Sequence, residues 1–213
     1  MGGSEGNVVF VHGLWMSGSE SLLLRRRLHR ELGLPVHSFR YPAASASMKD
    51  ITAKLHRFVR DLDGPLLHLV GHSLGGLVIY RFLERYPGQA PGRVVFLGTP
   101  AVASRAAMVA SRFGPLATLM GKPVADELLR PQERRWHLDR PLGIIAGTQP
   151  IGFGQVLASF EEDCDGTIAV SETRLPGATD HICLRVSHLG MLVSARVARE
   201  TGAFLQQGHF LLR

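Results

Sequence analysis

The sequence predicts an α/β fold, a sheet of about six mostly parallel strands with helices on both faces. Two observations carry this expectation. First, short and almost uninterrupted apolar runs alternate with segments whose apolar residues recur at helical spacing. Strands buried on both faces read as continuous apolar runs because neither side meets water. Second, chemically distinctive residues gather just past the ends of those runs: His12-Gly13, Ser73, Gly98-Thr99 and His188. In doubly wound sheets built with right-handed crossovers, sites lie beyond the carboxyl ends of the strands.

Each element has its own signal. Asn7-Val8-Val9-Phe10-Val11 is a buried strand. Ser17-x-x-Glu20 is a capping-box pattern, and the helix after it carries Leu24, Leu28 and Leu32 at every fourth position. Residues 35–39 form the second strand. Residues 47–61 form a helix with Ile51, Leu55 and Phe58/Val59 on one face. The third strand is 66–70, followed by a helix over 74–86 that Pro87-Gly88 stops. The fourth strand, 93–97, runs into Gly98-Thr99-Pro100, and the fifth is 142–146. Residues 147–166 read as a loop with one short helix. The sixth strand is 180–186, and a last helix over 189–205 aligns Leu189, Val193 and Val197.

The chain has 213 residues, of which 45% are hydrophobic and 20% charged. That suits one domain over 1–213 with a sizeable core. The longest stretch without a clear strand, 101–140, is a candidate cap or lid within it. It carries Val102, Met108, Val109, Phe113, Leu116, Leu119 and Met120, an apolar set able to line or cover an acyl pocket. The formal net charge of +6 favours anionic partners. The basic residues are otherwise scattered and lack aromatic interleaving, so no nucleic-acid partner is expected. Their one tight run, Arg25-Arg26-Arg27, reads as a solvated helix face or a surface that meets something acidic, including transient contact with a lipid surface. Cys164 and Cys183 have no metal-binding spacing. The first six residues lack the basic start and apolar stretch of a secretory leader, so a cytoplasmic protein with free thiols is expected. No apolar run approaches the roughly 18 to 20 residues that span a bilayer.

Ser73 stands between Gly71 and Gly75, where a strand passes directly into a helix. A turn that tight holds its apex residue in strained geometry, and glycines two positions either side relieve the crowding. The hydroxyl is thereby raised above the sheet at a helix N-terminus, where free N–H groups favour developing negative charge. A serine hydroxyl needs a base, and the base needs an orienting group. Of the ten histidines, His188 is the one in a loop between the last strand and the last helix. In the acidic stretch 161–165, Asp165 is fixed by the following Gly166-Thr167 turn, with Asp163 as its rival. The oxyanion of an acyl-transfer intermediate needs backbone donors. The N–H of Leu74, just after the serine, and that of Leu14, in the loop after the first strand, are the candidates. His12 reads as a hydrogen bonder that braces this loop.

The pieces VFVHGLW, LVGHSLGG, FLGTP, DGTIAV and VSHLGML span residues 9–192. Together they resemble the α/β-hydrolase superfamily, and within it the small lipases and esterases. The family order is nucleophile, acid, histidine, and Ser73, Asp165 and His188 run in that order. The chain opens at what would be the third strand of larger members, which implies a minimal sheet. The resemblance implies hydrolysis of a carboxylic ester with an apolar acyl or alkyl group through an acyl-enzyme, with no metal or organic cofactor. An acyltransferase or thioesterase using the same triad is the alternative within enzymes. A non-catalytic scaffold that binds a lipid or protein is the alternative outside them.

Overall fold

Six strands pair side by side, every pair parallel, with the most apolar ones innermost. The computed structural model describes residues 6–14, 16–43, 45–101, 127, 134–151 and 162–212. The strands β1 (Asn7–Val11), β2 (Val36–Phe39), β3 (Leu67–His72), β4 (Val94–Leu97), β5 (Leu142–Gly147) and β6 (Asp180–Leu184) lie in the order β2-β1-β3-β4-β5-β6. The four inner strands are wholly buried. The two edge strands carry the polar residues His37, Ser38, Asp180 and His181. An edge reaches water, so polar side chains there cost little and blunt pairing with another chain.

Side chains alternate across the sheet and build two cores. Val9, Val11, Leu69 and Phe96 pack under α2 (Met48–Arg60) and α3 (Leu74–Arg85). Val8, Phe10, Val70 and Val95 pack under α1 (Leu22–Leu32) and the C-terminal helix α5 (Ala195–Gln207), with α4 (Val170–Thr173) before β6. Helix α2 starts and stops as its sequence dictates. The Ser47 hydroxyl accepts from the Asp50 N–H at 3.2 Å, and Asp61 ends the helix.

Strand and helix ends shift by one or two residues from expectation, β6 for example stopping at Leu184 rather than 186, and two differences bear on the site. Strand β3 continues through Gly71 and His72, which still pair with Phe96 and Leu97 of β4. The last helix does not begin at 189. Residues Gly190–Leu192 form a 3₁₀ turn, Ser194 is extended, and its hydroxyl caps α5 by accepting from the Val197 N–H at 3.3 Å. The alignment of Leu189 and Val193 with Val197 therefore fails. Leu189 and Val193 are exposed, while Met191 and Leu192 are buried instead.

β1 has β2 on one side and β3 on the other, so the chain reverses its direction of travel across the sheet between β1 and β3. In sheets of this kind, the place where the strand order reverses is where sites are found. Most of the candidate cap over 101–140, namely 102–126 and 128–133, lies outside the described residues. Glu127, between those stretches, is tied to α3 by a 2.8 Å bond from Arg81, and the buried Arg134 donates to it at 2.8 Å. No helix among the described residues is long and apolar enough to cross a membrane.

Candidate active site

The turn from β3 to α3 is strained. Ser73 has φ 55° and ψ −125°, and it is the one non-glycine residue with positive φ among the described residues. Such strain costs on the order of 1–3 kcal/mol and persists only where the surroundings impose it. Here they do. The Ser73 N–H donates to the Leu97 carbonyl at 2.9 Å, and the Ser73 carbonyl accepts from the Gly76 N–H at 3.0 Å. The glycines serve close backbone approach. A Cβ on Gly75 would sit 2.1 Å from the Val11 carbonyl oxygen, and one on Gly71 2.5 Å from the Gly76 backbone. Leu74 opens α3, so its N–H has no carbonyl one turn back to bond.

β6 and the segment before α4 bring a carboxylate and an imidazole together. His188 Nδ1 and Asp165 Oδ2 are 2.6 Å apart, and both side chains are buried. The other carboxylate oxygen of Asp165 accepts from the Thr167 and Ile168 N–H groups at 2.9 and 2.7 Å. The His188 N–H donates to the Asp165 carbonyl at 2.8 Å. Asp163, by contrast, is exposed.

His72 links this pair to the serine turn. Its Nε2–H donates to the His188 carbonyl at 2.9 Å, and the two rings lie 4.6 Å apart between centroids. Because Nε2 is the donor, Nδ1 carries the lone pair, and it has no partner. The sequence assigns His72 no role of its own, because the carbonyl it bonds lies 116 residues away. Gly98 completes the enclosure. A Cβ there would stand 2.8 Å from Asp165 Oδ2 and 3.1 Å from His188 Nδ1, and Gly98 has φ 53°. Asp165 and His188 are thus brought together, and His72, the residue before Ser73, bonds the His188 carbonyl. No hydrogen bond joins the Ser73 hydroxyl to His188 among the described residues. Contacts of this kind commonly tighten only with substrate bound.

The loop after β1 closes the other side. A Cβ on Gly13 would stand 3.0 Å from Ser73 Cβ, so Leu14, the next residue, borders the serine turn. His12 braces the loop. It pairs with the Gly13 carbonyl at 2.8 Å through Nδ1, accepts from the Tyr41 N–H at 3.4 Å through Nε2, and stacks on the Tyr41 ring. The Tyr41 hydroxyl donates to the His12 carbonyl at 2.7 Å. Burial lowers the pKa of His12 and raises that of the Tyr41 hydroxyl, so both stay neutral. The remaining histidines have local partners or lie at the surface. His37 bonds Asn7, His68 accepts from the Arg93 N–H, and His181 bonds Thr173. Cys164 and Cys183 are free thiols. Among the described residues no group of three or more His, Cys, Asp or Glu side chains is placed to hold a metal ion.

The buried neutral histidines make the fold acid-sensitive. Burial pushes His72 down to about 3, and burial with Arg93 and Arg140 nearby pushes His68 down to about 4, from an ordinary 6.5. Unfolding frees both to take up a proton below about pH 6.5. Their contribution to stability is therefore complete above that pH and is lost as pH falls toward 4 for His68 and 3 for His72. The slope is about 1.4 kcal/mol per pH unit for each. Urea unfolding at pH 7.5 and pH 5 should show a marked loss of stability. His72→Gln, which keeps a donor but cannot titrate, should show a smaller one. Equal losses for the two proteins would refute the assignment.

A family model described as the alpha/beta hydrolase family matches residues 8–200. No curated protein matches the chain in sequence. Among solved structures, the chain is similar to a Bacillus licheniformis lipase in its propeptide form, with TM-score 0.72 and 22% identity over 87% of this chain and 47% of that one. It is also similar to a Legionella pneumophila phospholipase, with TM-score 0.62 and 18% identity over 79% of this chain and 45% of that one. A Bacillus subtilis carboxylesterase gives TM-score 0.58 and 15% identity over 96% and 85%. The chain spans about half the length of the first two.

Proposed function

The chain belongs to the alpha/beta hydrolase family, and on that premise we propose that it is a serine hydrolase cleaving carboxylic esters that carry an apolar acyl or alkyl group. Ser73 Oγ attacks the ester carbonyl carbon while His188 Nε2 takes its proton. The carbonyl π electrons move onto oxygen, and the Leu14 and Leu74 N–H groups receive that oxyanion. Collapse breaks the bond to the alcohol oxygen, and His188 returns the proton to the departing alcohol. Water, deprotonated by His188, then attacks the acyl-serine; collapse breaks the bond to Ser73 Oγ, His188 returns the proton to that oxygen, and the acid leaves. Asp165 holds the Nδ1–H tautomer, so that the lone pair stays on Nε2.

The observation that most supports this reading is the buried 2.6 Å contact between Asp165 and His188 beside a serine held at positive φ. His188 is fixed three times over, through its ring, its N–H and its carbonyl. Preorganisation of this kind lowers the reorganisation needed as imidazolium forms.

A fluorophosphonate probe tests the reading directly. The chain should be labelled once, at Ser73, and should turn over activated esters from C2 to C16 acyl length. A folded protein that takes no label and hydrolyses none of those esters would overturn it. Supplying a thioester, or an alcohol acceptor beside the ester, separates hydrolysis from acyl transfer.

A further inference from the structure

The positive charge of this chain is concentrated on one flank. Residues 16–40 and 185–199 carry eight arginines against two glutamates, and the rest of the chain is balanced. These two stretches, distant in sequence, fold together. Helices α1 and α5 share a core on the same sheet face. The Arg27 guanidinium donates to the Val193 carbonyl, and the Gln206 side chain donates to the Glu31 carbonyl at 3.2 Å. Arg25 lies within the field of Arg26 and Arg40, like charges that lower its pKa beyond what burial does. Among the described residues, Arg25, Arg26, Arg27, Arg40 and Arg196 have no ion-pair partner. Unpaired, crowded guanidiniums raise the free energy of the isolated fold unless something anionic meets them.

The same flank exposes apolar side chains where it reaches the carboxyl ends of the strands. Leu22 and Leu23 open α1 and are 43% and 41% exposed. Leu189 directly follows His188 and is 60% exposed, and Val193, two residues before α5, is 53% exposed. Arg26 and Arg27 stand one helical turn beyond Leu22 and Leu23, on the same sides of α1. The break before α5, which the sequence did not reveal, is what turns Leu189 and Val193 outward. The result is an apolar rim beside the candidate site, backed by unpaired arginines. Duplex nucleic acid would answer the charge and leave the leucines in water. A lipid surface with anionic head groups answers both, because the apolar side chains enter the acyl boundary and the guanidiniums fork onto phosphates.

We propose that the rim of Leu22, Leu23, Leu189 and Val193, with Arg25, Arg26, Arg27 and Arg40, docks the protein on an anionic phospholipid surface. The docked orientation sets the Ser73 turn toward the lipid. That the site then draws an apolar ester from it rests on the function proposed above; the docking does not.

Vesicle co-sedimentation tests the docking with the whole chain. Binding to phosphatidylcholine vesicles containing phosphatidylglycerol should be at least about 10-fold tighter than to phosphatidylcholine alone, and should weaken about 10-fold as salt rises from low to high ionic strength. Leu22→Ser with Leu23→Ser, and separately Arg26→Glu with Arg40→Glu, should each weaken binding about 10-fold or more while leaving hydrolysis of a short soluble ester unchanged. Arg57→Glu with Arg60→Glu, the same charge change on α2 across the sheet, should leave binding as it was. Equal weakening by that control would show that net charge alone acts, and would overturn the rim. So would the absence of binding to the anionic vesicles at low salt, or tighter binding to duplex DNA that the leucine pair does not affect. Ser73→Ala should bind vesicles like the unmodified chain. Vesicle binding without fluorophosphonate labelling would therefore sink the proposed chemistry and leave the docking standing.

Discussion

Ser73→Ala lowers kcat for an activated ester by about 10⁴-fold or more, a barrier increase of about 5 kcal/mol, while the protein stays folded. Both halves follow from how the serine is held. The backbone of the turn is fixed by the Ser73 N–H on the Leu97 carbonyl and by the Gly76 N–H on the Ser73 carbonyl. Neither bond involves the hydroxyl. The left-handed strain at φ 55° is the same for alanine as for serine, since both carry a Cβ. The hydroxyl itself caps nothing, so its loss leaves no buried donor or acceptor unsatisfied in its neighbours. What disappears is the attacking atom. Backbone donors and substrate binding remain, so some activity above the uncatalysed rate survives. The measurement is kcat with a p-nitrophenyl ester beside the thermal midpoint of both proteins. Full turnover by the alanine variant would remove Ser73 from the chemistry. Lost turnover with a midpoint far below the parent would mean that the turn, not the nucleophile, had been damaged.

What the sequence could disclose depended on whether the cause was local. Around Ser73, an apolar run meets a helix with glycines between them, and a Cβ at those glycines would meet backbone atoms. For Gly71 the cause is local, the Gly75-Gly76 backbone, whereas Gly75 is required by the Val11 carbonyl in a distant strand. What fixes Asp165 is local: the turn that follows it supplies the Thr167 and Ile168 N–H groups that its carboxylate accepts. Ser47 announced α2 through its own cap. Features that depend on distant partners were not legible. The bond from His72 to the His188 carbonyl joins residues 116 apart in sequence. Nothing in the stretch around His72 marks it as a donor to that loop. The start of α5 was misread because fourfold spacing runs on through a break. Leu189, Val193 and Val197 keep the period, but Gly190 permits a tight turn and Ser194 prefers to cap. Only tertiary packing decides that Met191 and Leu192 turn inward.

Asp165→Asn should lower kcat on the order of 10⁴-fold, with Asp163→Asn near the parent value. The size of the first effect comes from the direction in which an amide is forced to face. Oδ1 of Asp165 accepts two backbone N–H groups, from Thr167 and Ile168. An asparagine must keep its carbonyl oxygen there, because its NH₂ would meet two donors with a third. The NH₂ then faces His188 Nδ1 in place of the carboxylate oxygen. A donor opposite Nδ1 requires a lone pair on Nδ1, which moves the ring proton to Nε2. The imidazole turned toward Ser73 would then carry a proton where the mechanism needs a lone pair, and the geometry would be nearly unchanged. Asp163 is exposed, and its backbone carbonyl accepts the Val170 N–H at 2.9 Å. Substituting its side chain changes only a screened surface charge. Steady-state kinetics on both variants with one activated ester make the comparison. A larger loss from Asp163→Asn than from Asp165→Asn would show that the orienting carboxylate had been assigned to the wrong residue.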